Sequence, residues 1–210
     1  MFFLCDNILI ISFFYSSSIE PSNAAARLLS RRYALTSTGY KFLEIGINVG
    51  PPSYVEIVVG DHRGQNIAMS LEMWKGLFEQ RWNVYKMLRN EYKDNFINVG
   101  PLTISVSAMK DFALVRLESS NVRMQMTEST LRRMLDLDEC VDVTFERLFR
   151  LIDEVDVKYT RFSNIAATVA RPEDAANAIR DSDTFDRRKL VDCELLALVF
   201  GTHERKKKSL

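Results

Sequence analysis

The chain has 210 residues, 47% of them apolar and 27% charged, enough to bury a core without disulfide staples or a structural metal. Its 28 Lys and Arg are matched by 28 Asp and Glu, so no whole-molecule field directs it to nucleic acid or membrane, and an anionic partner has to be met by a local patch. Three isolated cysteines without a C-x-x-C spacing exclude a disulfide framework and a zinc site, and the two histidines, His62 and His203, are spaced neither for metal ligation nor as the base of a nucleophile pair.

Residues 1–38 read as a disordered leader. Met1 to Tyr15 is apolar but too short to span a bilayer, Asp6 interrupts it, and no basic residue precedes it as a signal peptide would require. Asn23 to Arg32 is Ala-rich and basic, as mitochondrial targeting segments are, although Glu20 counts against that. The expected location is nuclear or cytoplasmic, ahead of mitochondrial or secreted.

A first strands-plus-helix unit is expected over 39–93. Leu43, Ile45, Ile47 and Val49 alternate with Phe42, Glu44 and Asn48, the period of a half-buried strand, and Gly50-Pro51-Pro52 ends it. Val55, Ile57 and Val59 repeat the pattern before the turn Gly60 to Gly64, and Asn66 to Met69 forms a third short strand. Ser70 stands where a helix N-cap belongs, with Glu72 in the first turn. Leu71, Trp74, Phe78, Tyr85 and Leu88 then predict one long helix with a single apolar stripe.

Ile47-Asn48-Val49-Gly50-Pro51 returns unchanged as Ile97-Asn98-Val99-Gly100-Pro101, which predicts an internal duplication and a second unit over 94–157. Leu102, Ile104 and Val106, then Ala113, Val115 and Leu117, then Val122, Met124 and Met126 point inward. Thr127 caps the next helix, which Asp136 to Glu139 interrupts and Asp142 restarts as far as Val155. Asp94 to Val155 holds seven Lys and Arg against eleven Asp and Glu, so this second helical stretch is acidic. Residues 158–210 read as a helical extension: Pro172 at a helix N1 position, a further helix from Asp183 or Thr184 to Phe200 ending at Gly201, and a basic tail from Arg205 to Lys208. The fold class is α+β: two tandem antiparallel-sheet-plus-helix repeats forming a pseudo-dimer, then C-terminal helices.

The run Ile67-Ala68-Met69-Ser70-Leu71-Glu72-Met73-Trp74-Lys75-Gly76-Leu77 resembles the strand-to-helix signature of the positive-cofactor-four family of transcriptional coactivators, whose Glu-x-Trp-x-x-Leu is matched by Glu72, Trp74 and Leu77. Lys41 to Gly46 and Tyr54 to Ile57 look like that family's first and second strands, and the likeness covers about fifty residues. It implies single-stranded DNA binding on a saddle made by two curved sheets. The plant Whirly proteins are similar in duplicating a strands-then-helix plan on the same ligand. The chain departs from the family at the basic hairpin before the third strand, reduced here to Asp61-His62-Arg63-Gly64-Gln65.

Single-strand binding needs cations that track phosphates and flat side chains on which bases stack. The candidates are Lys41, Phe42, Tyr54, Arg63, Trp74, Lys110, Arg116 and Arg123. All but Lys41 have a plainer reading. Phe42 and Tyr54 are stacking platforms or covered edge aromatics; Arg116 and Arg123, with Arg63 and Lys110 in turns, are a phosphate stripe or solvated charge beside Glu44, Glu56 and Glu118; Trp74 lines the groove or fills the core. The expectation is a non-enzymatic single-stranded nucleic-acid-binding protein, DNA before RNA, without cofactor or metal and open to further oligomerisation. The alternative is a protein-interaction or assembly module using the acidic second helix and the C-terminal helices. A cation site at Asp136, Asp138, Glu139 and Asp142 ranks third, since solvated acids on a helix turn explain them, and neither a Gly-rich phosphate loop nor a nucleophile motif is present.

Overall fold

The computed structural model describes residues 27–89, 96–109, 112–120 and 122–201. Two four-stranded antiparallel sheets follow one another along the chain, each with its strands in sequential order. The first comprises β1 (Arg27–Ala34), β2 (Lys41–Asn48), β3 (Tyr54–Asp61) and β4 (Asn66–Met69), followed by helices α1 (Leu71–Glu79) and α2 (Arg81–Leu88). The second comprises β5 (Phe96–Val99), β6 (Leu102–Met109), β7 (Phe112–Ser119) and β8 (Val122–Thr127), followed by α3 (Glu128–Leu135), α4 (Asp138–Phe149) and α5 (Ile152–Thr168). A 3-10 turn at Pro172–Asp174, α6 (Ala175–Arg180) and α7 (Leu190–Glu194), which runs on as a π-helical turn over Leu195–Phe200, complete the described chain. This is the expected α+β plan, and no described helix is long and apolar enough to cross a membrane.

The alternating residues meet in one core. Leu43, Ile45 and Ile47 of β2, Val55, Ile57 and Val59 of β3, and Ile67 and Met69 of β4 join Leu102, Ile104, Val115, Leu117, Met124 and Met126 of the second sheet. Strand β4 lies against β8, and the helices are shared reciprocally. Helix α1 packs on β3 and β4 of its own sheet, whereas α2 crosses to β6 and β7. Helix α3 packs on its own β7 and β8, whereas α4 crosses to β2 and β3. Helices α1 and α3 start as sequence chemistry dictates, Ser70 Oγ accepting the Met73 N–H at 3.2 Å and Thr127 Oγ1 the Thr130 N–H at 3.3 Å.

Four sequence expectations are corrected. First, Arg27–Ala34, expected within a disordered leader over 1–38, is a strand paired with β2, while residues 1–26 of that expected leader lie outside the described residues. A bulge between Leu28 and Arg31, with Leu29 at φ 53°, shifts the phase of β1, so Leu28 and Tyr33 both face the core although they differ in parity. That phase slip erases the alternation. Second, the long helix expected from Leu71 to Leu88 breaks at Gln80, where the chain turns from the first sheet to the second. Third, the boundary at 157/158 falls inside α5, whose buried Val155 and Phe162 continue one stripe, and the last helix begins at Leu190, not at Asp183 or Thr184. The buried Asp192 carboxylate accepts the Asp186 N–H at 2.8 Å and the Lys158 ammonium at 2.6 Å, holding the preceding residues as turns. Fourth, the repeated pentapeptide does not mark equivalent places: the first copy leaves β2 for β3 and the second leaves β5 for β6. The tandem units are real, but this motif sits one strand out of step between them.

Candidate nucleic-acid interface

The outer face of the first sheet is closed by β1. Arg27 reaches across β2 to β3, its Nε 2.7 Å from Glu56 Oε2, and passes over Gly46, where an added Cβ would stand 2.8 Å from Arg27 Cβ. Arg32 donates to Glu44 Oε2 at 2.6 Å and lays its guanidinium 3.9 Å from the centre of the Phe42 ring. Glu44 and Glu56 are consequently buried, at 6% and 8% exposure. Phe42 is buried as well, its ring filling the space above Gly60 on the paired strand. With a cation already at 3.9 Å, no base can stack on Phe42, and the expectation of a platform there is overturned. The cause is the strand that the sequence pattern concealed.

Tyr54 is half exposed at the far end of β3, where its hydroxyl accepts from Asn48 Nδ2 at 3.0 Å; burial and the neighbouring Glu56 push its phenol above the ordinary tyrosine range. Trp74 is wholly buried, with Nε1 donating to Asp138 Oδ1 at 2.8 Å, so it ties α1 to α4 and cannot edge a groove. Lys75 donates to Asp138 and Asp142, which draws the acidic stretch of α4 inward as helix packing. Among the described residues no group of three or more acidic, His or Cys side chains is arranged to hold a metal. Lys110 and the basic tail lie outside the described residues. Lys41 and Arg63 sit beside Tyr40, where the β1–β2 and β3–β4 turns meet.

The second sheet has Phe96, Asn98, Arg123 and Gln125 exposed on its outer face. Its register builds two rungs across four strands: Phe96, Ser105, Arg116 and Gln125 in one, Asn98, Thr103, Glu118 and Arg123 in the next. Arg123 grips Glu118 through two bonds of 3.0 Å, and Thr103 Oγ1 donates to Asn98 Oδ1 at 3.0 Å. The Arg123 hydrogen bond holds the Glu118 carboxyl below the ordinary range, and the charge of nearby Arg116 acts the same way. Arg116 itself occupies the middle of the face, with Nε buried and no hydrogen-bond partner, and it enters no ion pair among the described residues. Phe96, at one end of the same rung, is 64% exposed.

The structure therefore joins Arg116 and Arg123 on one face, sets Lys41 and Arg63 at a separate corner, and removes Phe42 and Trp74 from solvent. Sequence reasoning missed Phe96 and Tyr40. Phe96 directly precedes the second pentapeptide and so shares its strand's alternation, a usable signal; Tyr40 precedes its strand and carried none. Compared with protein-family models, curated proteins and solved structures, the chain matches none of them.

Proposed function

We propose that the chain binds single-stranded nucleic acid, DNA in the first instance, on the outer face of its second sheet and without catalysis. Arg116 carries this reading: a guanidinium on a rung of neutral polar neighbours, with a buried donor left unbonded, is a cation available for a phosphate, and unpaired buried donors are costly unless a ligand satisfies them. Exposed Phe96 offers a ring at the end of the same rung for a base to stack on. Ser105, Thr103, Asn98 and Gln125 supply hydroxyl and amide contacts to the sugar-phosphate chain without adding negative charge. Glu118 is neutralised by Arg123, so the face keeps a net positive centre. A transcriptional cofactor role follows the family resemblance.

Fluorescence anisotropy with labelled single- and double-stranded oligonucleotides across a salt series tests this. Expected are a preference for single strands, affinity that falls with salt, and a salt slope reduced by about 0.7 in Arg116→Gln, the share of one phosphate contact on a single strand. Absence of binding at low salt would transfer the scaffold to the protein-interaction reading.

A further inference from the structure

The corner of the first sheet where its two turns meet has a different construction from the closed face beside it. The turns are tied by the His62 N–H donating to the Tyr40 carbonyl at 3.0 Å. Tyr40 is half-buried, with Lys41 Nζ 5.3 Å and the Arg63 guanidinium 5.9 Å from its ring centre, and the His62 ring tilted against it at 6.1 Å. Both cations lie over this ring, but farther out than Arg32, whose guanidinium is 3.9 Å from the centre of Phe42.

The charges here are unspent. Neither Lys41 nor Arg63 enters an ion pair among the described residues. Asp61, opposite Lys41 across β2 and β3, is buried and its Oδ1 accepts the backbone N–H of Arg63 and of Gln65, and Glu44 is held by Arg32. An aromatic ring with two cations over it at 5.3 and 5.9 Å, neither in an ion pair among the described residues, matches one nucleotide unit, the phosphate drawing the cations and the base lying on the ring. A phosphate alone would not need the ring, and an apolar ligand would not need the cations.

We propose that this corner is a second nucleotide-gripping site, with the phosphate between Lys41 and Arg63 and the base on Tyr40, separate from the Arg116 face. It rests on the reading that the partner is single-stranded nucleic acid. The test uses the full chain and labelled oligothymidylate, with affinity measured across a salt series for wild type, Lys41→Gln/Arg63→Gln, Tyr40→Ala, Tyr40→Phe and Arg116→Gln, and urea midpoints recorded to confirm folding. The double variant is expected to lower the salt slope by about 1.4, two phosphate contacts at about 0.7 each. Tyr40→Ala is expected to weaken binding about five- to 150-fold at fixed salt, the effect of one lost stacked base, with Tyr40→Phe close to wild type. Arg63→Gln alone, in an exposed turn where folding is not at stake, should take half the slope change. If the corner variants match wild type while Arg116→Gln does not, the corner proposal is overturned and the sheet-face reading stands. The reverse pattern keeps the corner and overturns the sheet face, and a wild type that binds no strand at low salt overturns both.

Discussion

Gly46 shows how much a single position decides. Its missing side chain lets Arg27 cross β2 and pair with Glu56, and that crossing turns a candidate ligand surface into a sealed one. Removing the cation should be expensive: Arg27→Met leaves Glu56 as a buried carboxylate without its partner, beside a Glu44 that Arg32 still holds, with an expected loss of about 3–5 kcal/mol in urea denaturation. Trp74 makes a second case. Trp74→Phe keeps a ring in the core but removes the bond to Asp138 and part of the bulk, so a loss of at least about 1.5–3 kcal/mol is expected, with oligonucleotide affinity unchanged. Trp74 as core was legible from its helical stripe; its polar tether was not, because Asp138 is far away in sequence.

At the scale of elements, helices α1 and α4 are joined across the two units by Lys75. Burial disfavours its ammonium, but the hydrogen bonds and charges of Asp142 and Asp138 outweigh that and raise it above the ordinary lysine range. Its folded value lies above the unfolded one, so its contribution is complete below about pH 10.4 and is lost as pH rises beyond that through the folded value. The urea midpoint of wild type is expected to fall more than that of Lys75→Met between pH 9 and pH 11. Helix α1 also presses on β5, where an added Cβ at Gly76 would stand 2.5 Å from Val99 Cγ1. Glycine to alanine inside a helix ordinarily stabilises by up to about 1 kcal/mol. Here overpacking is expected to prevail, with Gly76→Ala losing about 1–3 kcal/mol in the same denaturation assay. The strands were legible wherever alternation was unbroken, as in β2, β3 and β6 to β8; β1 was not, because its bulge changes the phase midway.

The whole molecule is held by exchange: α2 covers the second sheet and α4 covers the first, around a core common to both. A fragment ending at residue 93 would keep the first sheet but lose α4 from its inner face. It is expected to show no cooperative urea transition by circular dichroism, whereas the full chain unfolds in one. The C-terminal segment adds a guard, with α7 packed on β1 and the Glu194 carboxylate accepting the Leu29 N–H, so the sheet edge left by the bulge is not open for strand addition.

What the sequence determined by itself was local in origin: strands from period-two alternation, helix starts from Ser70 and Thr127, the tandem order of the units, and the charge balance that confines any anion site to a patch. Those properties depend on neighbours a few residues apart. Which sheet face is sealed, which aromatics reach solvent and which acids are already neutralised were decided only by the tertiary structure. Each rests on partners far apart in the chain, Arg27 with Glu56, Trp74 with Asp138 and Tyr40 with Arg63, and no periodicity encodes them.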